Sequence, residues 1–214
     1  EVQALRNDTA KTCNIVFSDD FNRPNSPTVG NGWATVSDSA VDLQIEDNQA
    51  VNNGPNGPTS GIYHALPALN GTTNVRAKLK ASNGYIGSVD RHGAFLCLNS
   101  EGTMSSGYCL RFTQAAESYL SQLWLFDNGV EVARIPVPDR YGEYIYVDAT
   151  FYPDGSVVGT AGDGIANSTN FSFGPRPVES SGTNLAYLTI PPGYQSSPVR
   201  YPGVDDVVVQ DNCP

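Results

Sequence analysis

Apolar residues in this chain recur at every second position over short stretches, and no stretch holds a 3.6-residue spacing long enough for a capped helix. The clearest case is Ile145, Val147, Ala149 and Phe151, which alternate with Tyr146, Asp148 and Thr150. That period of two predicts a strand over 144–152 with the first set turned to a core and Tyr144, Tyr146, Asp148 and Thr150 on the other face. The same reasoning predicts strands at 13–21, 33–36, 41–46, 61–65, 73–81, 93–98, 107–112, 118–126, 131–137, 156–161, 184–190 and 204–210. Within 118–126 the alternation groups Leu120, Gln122, Trp124 and Phe126, and Trp124 is assigned to the core. Asp127-Asn128-Gly129 and Pro153-Asp154-Gly155 read as hairpin turns, since Asn-Gly and Asp-Gly supply positive φ at low cost. The Asn, Gly and Pro cluster at 52–58 reads as a loop. Many short strands without helices predict an all-β fold of two packed antiparallel sheets, a β-sandwich.

Composition narrows this picture. A chain of 214 residues with 21 Gly and 15 Pro has room for one sizeable core and frequent turns, so a single domain over 13–214 is expected, preceded by a polar arm at 1–12. A net charge of −10 argues against a nucleic-acid partner, which a basic patch would have to recognise. The longest apolar runs, such as Leu123 to Phe126, fall far short of the roughly 18 residues of a spanning helix, so no membrane insertion is expected. No basic-then-apolar leader precedes Glu1, which reads as a mature chain.

Four cysteines, Cys13, Cys97, Cys109 and Cys213, allow three pairings, and none has the close spacing of a zinc site. If 94–98 and 108–112 form a hairpin, Cys97 facing Cys109 places Leu96 opposite Leu110 and Ala94 opposite Phe112, so the apolar partners share one face. The favoured framework therefore joins Cys97 to Cys109 and Cys13 to Cys213, and both bonds need an oxidising compartment. Four Asn-x-Ser/Thr sequons, at Asn7, Asn70, Asn167 and Asn170, fit the same compartment and predict solvent-facing, glycosylated surfaces around them. Together these features predict a secreted, extracellular glycoprotein.

Both ends of the chain carry a family resemblance. Phe17-Ser18-Asp19-Asp20-Phe21-Asn22-Arg23, followed by Gly30-Asn31-Gly32-Trp33, resembles the opening of laminin G-like and concanavalin A-like jelly rolls. Gly203-Val204-Asp205-Asp206-Val207-Val208-Val209-Gln210-Asp211 is similar to the closing strand of that superfamily. In related laminarinase and lichenase hydrolases an Asp of the closing strand helps to bind a structural calcium, and Asp205 matches it; if the Cys13–Cys213 bond makes the first and last strands neighbours, Asp19 and Asp20 supply further oxygens, so a structural calcium at Asp19, Asp20 and Asp205 is expected. Those hydrolases carry a Glu-x-Asp-x-Glu strand that this sequence lacks.

Three functions suit such a chain. The first is non-catalytic binding or adhesion, with glycans held by Tyr144, Tyr146 and Asp148 on one strand face. The second is a structural subunit that joins other copies of itself through the arm at 1–12. The third is a polysaccharide lyase, for which His64, Arg91 and His92 are the catalytic candidates, a histidine acting with a nearby tyrosine in a groove.

Overall fold

The computed structural model describes residues 13–36, 43–52, 60–69, 71–81, 93–103, 106–113, 121–137, 144–163, 167–179, 182–190 and 202–213. The arm at 1–12, the loop from 53 to 58, Leu120, Arg91, His92 and the sequons at Asn7 and Asn70 lie outside the described residues.

Fifteen strands are described: β1 (Asn14–Asp19), β2 (Ala34–Thr35), β3 (Gln44–Glu46), β4 (Gln49–Val51), β5 (Ser60–Ala65), β6 (Thr73–Lys80), β7 (Gly93–Ser100), β8 (Tyr108–Thr113), β9 (Gln122–Asp127), β10 (Val130–Pro136), β11 (Ile145–Phe151), β12 (Val157–Gly162), β13 (Ser168–Phe173), β14 (Asn184–Ile190) and β15 (Gly203–Asp211). An eight-stranded sheet runs β13-β12-β11-β6-β15-β4-β3, with β1 also paired to β15. A seven-stranded sheet runs β10-β9-β8-β7-β14-β5-β2. Every pairing is antiparallel, and no helix occurs among the described residues.

The core between the sheets follows from the two-residue period. β11 buries Ile145, Val147, Ala149 and Phe151, while Tyr146 and Asp148 are exposed. From the other sheet β8 contributes Tyr108, Leu110 and Phe112, and β9 contributes Leu123 and Leu125. Each fully buried Leu, Ile or Phe contributes about 1.5–3 kcal/mol by leaving water. Leu110→Ala would cost about 2–5 kcal/mol, because a close-packed interior cannot refill the space.

Both predicted disulfides are present: Cys13 is bonded to Cys213, and Cys97 to Cys109. The register is the expected one: Cys97 faces Cys109, Leu96 faces Leu110 and Ala94 faces Phe112. The apolar partners line the core, so the period of two turns the Cys97–Cys109 bond onto the outer face of the seven-stranded sheet. The second bond closes the end of the β1–β15 pair, where Asn14 lies opposite Asp211. Cys213 itself lies two residues beyond β15, and its amide donates to the Thr72 carbonyl at 3.0 Å, which holds this end of the chain beside the start of β6.

Three details depart from expectation. β3 and β4 form a hairpin whose turn, Asp47-Asn48, has φ of 50° and 61°, a conformation that Asp and Asn tolerate better than most side chains. β13 is a strand over a stretch where none is predicted, so Asn170 lies in an edge strand of the eight-stranded sheet. Trp124 is buried but does not belong to the core between the sheets: Leu123 and Leu125 take that face, and the alternation turns Trp124 outward.

Candidate functional site

On the outer face of the seven-stranded sheet, a row of side chains crosses four strands. Phe95 on β7 is opposite Arg111 on β8, Arg111 is opposite Trp124 on β9, and Trp124 is opposite Arg134 on β10. Aromatic rings and guanidinium groups thus alternate along the row. The Arg111 guanidinium carbon lies 5.0 Å from the Phe95 ring centre, 5.5 Å from Trp124 and 5.8 Å from Phe126. Arg134 covers Trp124 at 4.7 Å. Each such contact is electrostatically favourable, at about 0.5–1 kcal/mol where exposed and more when desolvated.

The backbone sets this row in place. Gly93 leaves room for the Arg111 side chain, since an added Cβ would stand 2.9 Å from its Nε. Trp124 and Phe126 are two residues apart on one face, and their rings are nearly parallel, 13° apart with centres at 6.1 Å. Trp124 Nε1 donates to Thr113 Oγ1 at 3.1 Å, which fixes the indole plane. Below the row lies a small apolar floor of Val36, Ala186 and the Cys97–Cys109 disulfide, with Tyr63, Phe95 and Phe126 packed on it. Gln122 Oε1 is buried on this face without a hydrogen-bond partner among the described residues. The Arg134 side chain is 53 % exposed and has Glu131 only at 3.7 Å, so its remaining N–H donors face solvent. Arg134 covers the buried Trp124 ring, so the face offers the half-buried rings of Phe95 and Phe126 beside an exposed guanidinium, an apolar surface with donors at its edge that suits a sugar ring.

The outer face of the eight-stranded sheet is different. Tyr146 is 47 % exposed, with Lys78 Nζ 5.5 Å from its ring centre. Asp148 is exposed and accepts from Asn74 Nδ2 at 2.6 Å. Tyr144 stands apart from both: its hydroxyl donates to Gln49 Oε1, and burial, with the nearby Asp205 charge, pushes its phenol far above the usual range. The strand therefore presents Tyr146 and Asp148 to solvent and turns the Tyr144 hydroxyl inward.

Two of the three acids named for a calcium site, Asp19 and Asp205, are engaged by protein cations. Asp19, at the end of β1, accepts from both Arg23 Nη1 and Nη2 at 2.7 and 2.9 Å, from Trp33 Nε1 at 2.8 Å and from the Phe21 amide at 2.9 Å. Burial opposes its charge, but Arg23, the Phe21 amide, Asn31 and Trp33 together outweigh that cost and hold the carboxyl below its ordinary range. Asp205 instead pairs with Lys78 at 3.3 Å, and a bulge in β15 lets Asp206 reach the same ammonium. Asp20 accepts from the Asn22 amide at 3.1 Å. A calcium ion needs several unclaimed oxygens in one place. Asp19 gives its oxygens to a guanidinium and Asp205 turns to a lysine, so these three acids do not fit the ion. No group of three His, Cys, Asp or Glu suited to a metal occurs among the described residues.

His64 lies against Phe17, with ring centres 4.1 Å apart, and edge-on to Trp33 at 5.8 Å; its Nδ1 is buried without a hydrogen-bond partner among the described residues. Neither of those two rings can take or give a proton, and Tyr63, the preceding residue on the strand, packs with the outer-face cluster.

No protein-family model and no curated protein sequence matches this chain. Solved structures do. The carbohydrate recognition domain of Emp47p superposes with a TM-score of 0.59 at 11% identity, covering 90% of this chain and 93% of that one. The winged bean acidic lectin, in complex with methyl-α-D-galactose, gives 0.58 at 12% identity over 87% and 96%. A prokaryotic β-1,3-1,4-glucanase from a mouse hindgut metagenome gives 0.56 at 8% identity over 91% and 98%. Two antiparallel sheets in this order, matched over most of each chain, give this chain the concanavalin A-like jelly-roll fold that the terminal motifs implied.

Proposed function

We propose that this protein is a secreted, non-catalytic carbohydrate-binding domain that holds its ligand on the outer face of the seven-stranded sheet. One observation carries the reading: Phe95 and Phe126 face away from the core between the sheets and are only half-buried on the outer-face cluster, which leaves part of each ring open to a ligand. Half-buried rings at Phe95 and Phe126 on the outer face of a sheet, with the exposed Arg134 guanidinium nearby, suit a pyranose that stacks one face and hydrogen-bonds at its edge. The two disulfides support an extracellular setting. Neighbours of the same fold include a carbohydrate recognition domain and a lectin bound to a galactoside, which adds weight without fixing the sugar. A glycan array probed with the disulfide-intact protein tests this reading: binding to a defined set of oligosaccharides is expected, and a blank array would overturn it.

The exposure of Tyr146 favours a second reading, in which the ligand lies on the outer face of the eight-stranded sheet against Tyr146 and Asp148. Array binding that survives changes at Phe126 and fails on Tyr146→Ala would select it.

A further inference from the structure

We propose that Asn170, and not Asn167, carries an N-linked oligosaccharide whose inner sugars lie over Thr160, Asp148 and Tyr146 on the outer face of the eight-stranded sheet. The inference does not depend on carbohydrate binding. It requires only passage through a compartment that supplies a lipid-pyrophosphate-linked oligosaccharide. In that transfer the Asn170 side-chain nitrogen forms a bond to the anomeric carbon of the first sugar, the bond from that carbon to the pyrophosphate oxygen breaks, the lipid pyrophosphate leaves with the bonding pair, and the amide nitrogen loses one proton.

The strand geometry selects the acceptor. In an extended chain residues i and i+2 share a face, so a sequon lying within a strand presents its asparagine and its hydroxyl residue together. Asn170 and Ser172 are both exposed, while Phe171 between them and Phe173 beyond are 5% exposed, with their rings 5.5 Å apart. Phe171 is held inward by a close fit over Gly159, where an added Cβ would stand 2.8 Å from its ring. This anchor fixes the register, and slipping by one residue would turn the sequon into the core. β13 is also the last strand of its sheet, so an attached glycan meets no neighbouring strand on that side among the described residues.

Asn167 is placed differently. It precedes β13 and closes a turn: its Nδ2 donates to Asp163 Oδ2 at 2.9 Å, its own amide donates to Asp163 Oδ1 at 3.1 Å, and its carbonyl accepts from the Asp163 amide at 2.9 Å. A sugar on Nδ2 would compete with that turn, whereas no comparable bond from the described residues ties the Asn170 side chain.

The direction of the glycan follows from the register. Asn170 is opposite Thr160 on β12, and Thr160 is opposite Asp148 on β11, with Tyr146 two residues along the same face. Two strand spacings separate Asn170 from Asp148, about 10 Å, a distance that the first sugars of an N-glycan span. The strip beneath is polar, with Thr160, Asp148 and Asn74 offering hydroxyl, carboxylate and amide groups, and Tyr146 offering an exposed ring face. A glycan there would also guard an open sheet edge against pairing with other chains.

Site-resolved glycopeptide mapping of the full chain secreted by a eukaryotic host tests the assignment. N-acetylhexosamine is expected on Asn170 and absent from Asn167. Ser172→Ala removes it and Thr169→Ala leaves it, and both substitutions keep the asparagines and the buried phenylalanines. A bare Asn170, or a glycan lost with Thr169→Ala and kept with Ser172→Ala, overturns the assignment. Coverage is read separately by nitration of Tyr146 with tetranitromethane, before and after enzymatic trimming to a single sugar. A several-fold faster reaction after trimming is expected, and equal rates would show that the glycan does not lie over this face.

Discussion

Arg134 lies with its guanidinium carbon 4.7 Å from the centre of the Trp124 ring, across a direct β9–β10 register pair. The arginine shields an indole that the core does not cover, and this produces the contrast between the two residues: Trp124 is 4% exposed and the Arg134 side chain 53%. Removing Arg134 should therefore uncover the ring at little cost in stability, below about 1 kcal/mol for an exposed cation–aromatic contact. We expect Arg134→Ala to raise acrylamide quenching of Trp124 fluorescence, measured in a Trp33→Phe background, while the unfolding midpoint barely moves. An unchanged quenching constant would mean that other groups cover the indole.

The Asp19–Arg23 pair makes an acid-sensitive clamp. Because the folded-state pKa of Asp19 lies below its unfolded value, the clamp contributes stability above the unfolded pKa and loses it as the pH falls through the folded pKa. Stability should thus decline below about pH 4 in urea titrations, and Asp19→Asn should flatten that part of the profile. Arg23→Ala should cost about 2 kcal/mol near neutral pH, since it leaves a buried carboxylate without its cation, with a discount for the partly exposed guanidinium. Superimposable acid profiles for the wild type and Asp19→Asn would contradict this.

Because Arg23 fills the place of a cation at Asp19, neither calcium nor a chelator should change the thermal midpoint. An ion bound only by the native state would raise it in a concentration-dependent way. A calorimetric shift with millimolar calcium would show that the acids rearrange around an ion after all.

The two disulfides should differ in weight. The bond between Cys13 and Cys213 has a sequence separation of 200, and in the chain-entropy model its loss costs up to about 5 kcal/mol; the bond between Cys97 and Cys109, with a separation of 12, is worth about 3 kcal/mol. Guanidinium unfolding of Cys13→Ala/Cys213→Ala and Cys97→Ala/Cys109→Ala pairs measures both. A larger loss from the second pair would mean that its packing on the outer-face floor outweighs loop closure.

The parts of this architecture that repeat every two residues were legible in the sequence. Ile145 to Phe151 and the facing of Cys97 with Cys109 follow from alternation alone, and the terminal motifs carried the fold. The β3–β4 hairpin was hidden because its strands have three residues each and its turn lacks glycine. β13 was hidden because Asn, Ser and Thr resemble loop composition, and only Phe171 and Phe173 reveal the alternation. The candidate face was obscured for a different reason: Trp124 is as apolar as a core residue, and which side of β9 faces the second sheet depends on partners far away in sequence. Asp205 matches the closing-strand Asp of the family, and Asp19 is legible as an acid on the neighbouring first strand, but the partners of Asp19, Arg23, Asn31 and Trp33, come from a loop whose course no local pattern encodes.

The central claim is tested most directly by titrating an array-identified oligosaccharide into the wild type, Phe126→Ala and Tyr146→Ala by calorimetry. The account expects Phe126→Ala to weaken binding about tenfold, equivalent to about 1.4 kcal/mol, and Tyr146→Ala to bind like the wild type. Loss of binding in Tyr146→Ala with Phe126→Ala unaffected would contradict it and move the ligand to the opposite sheet.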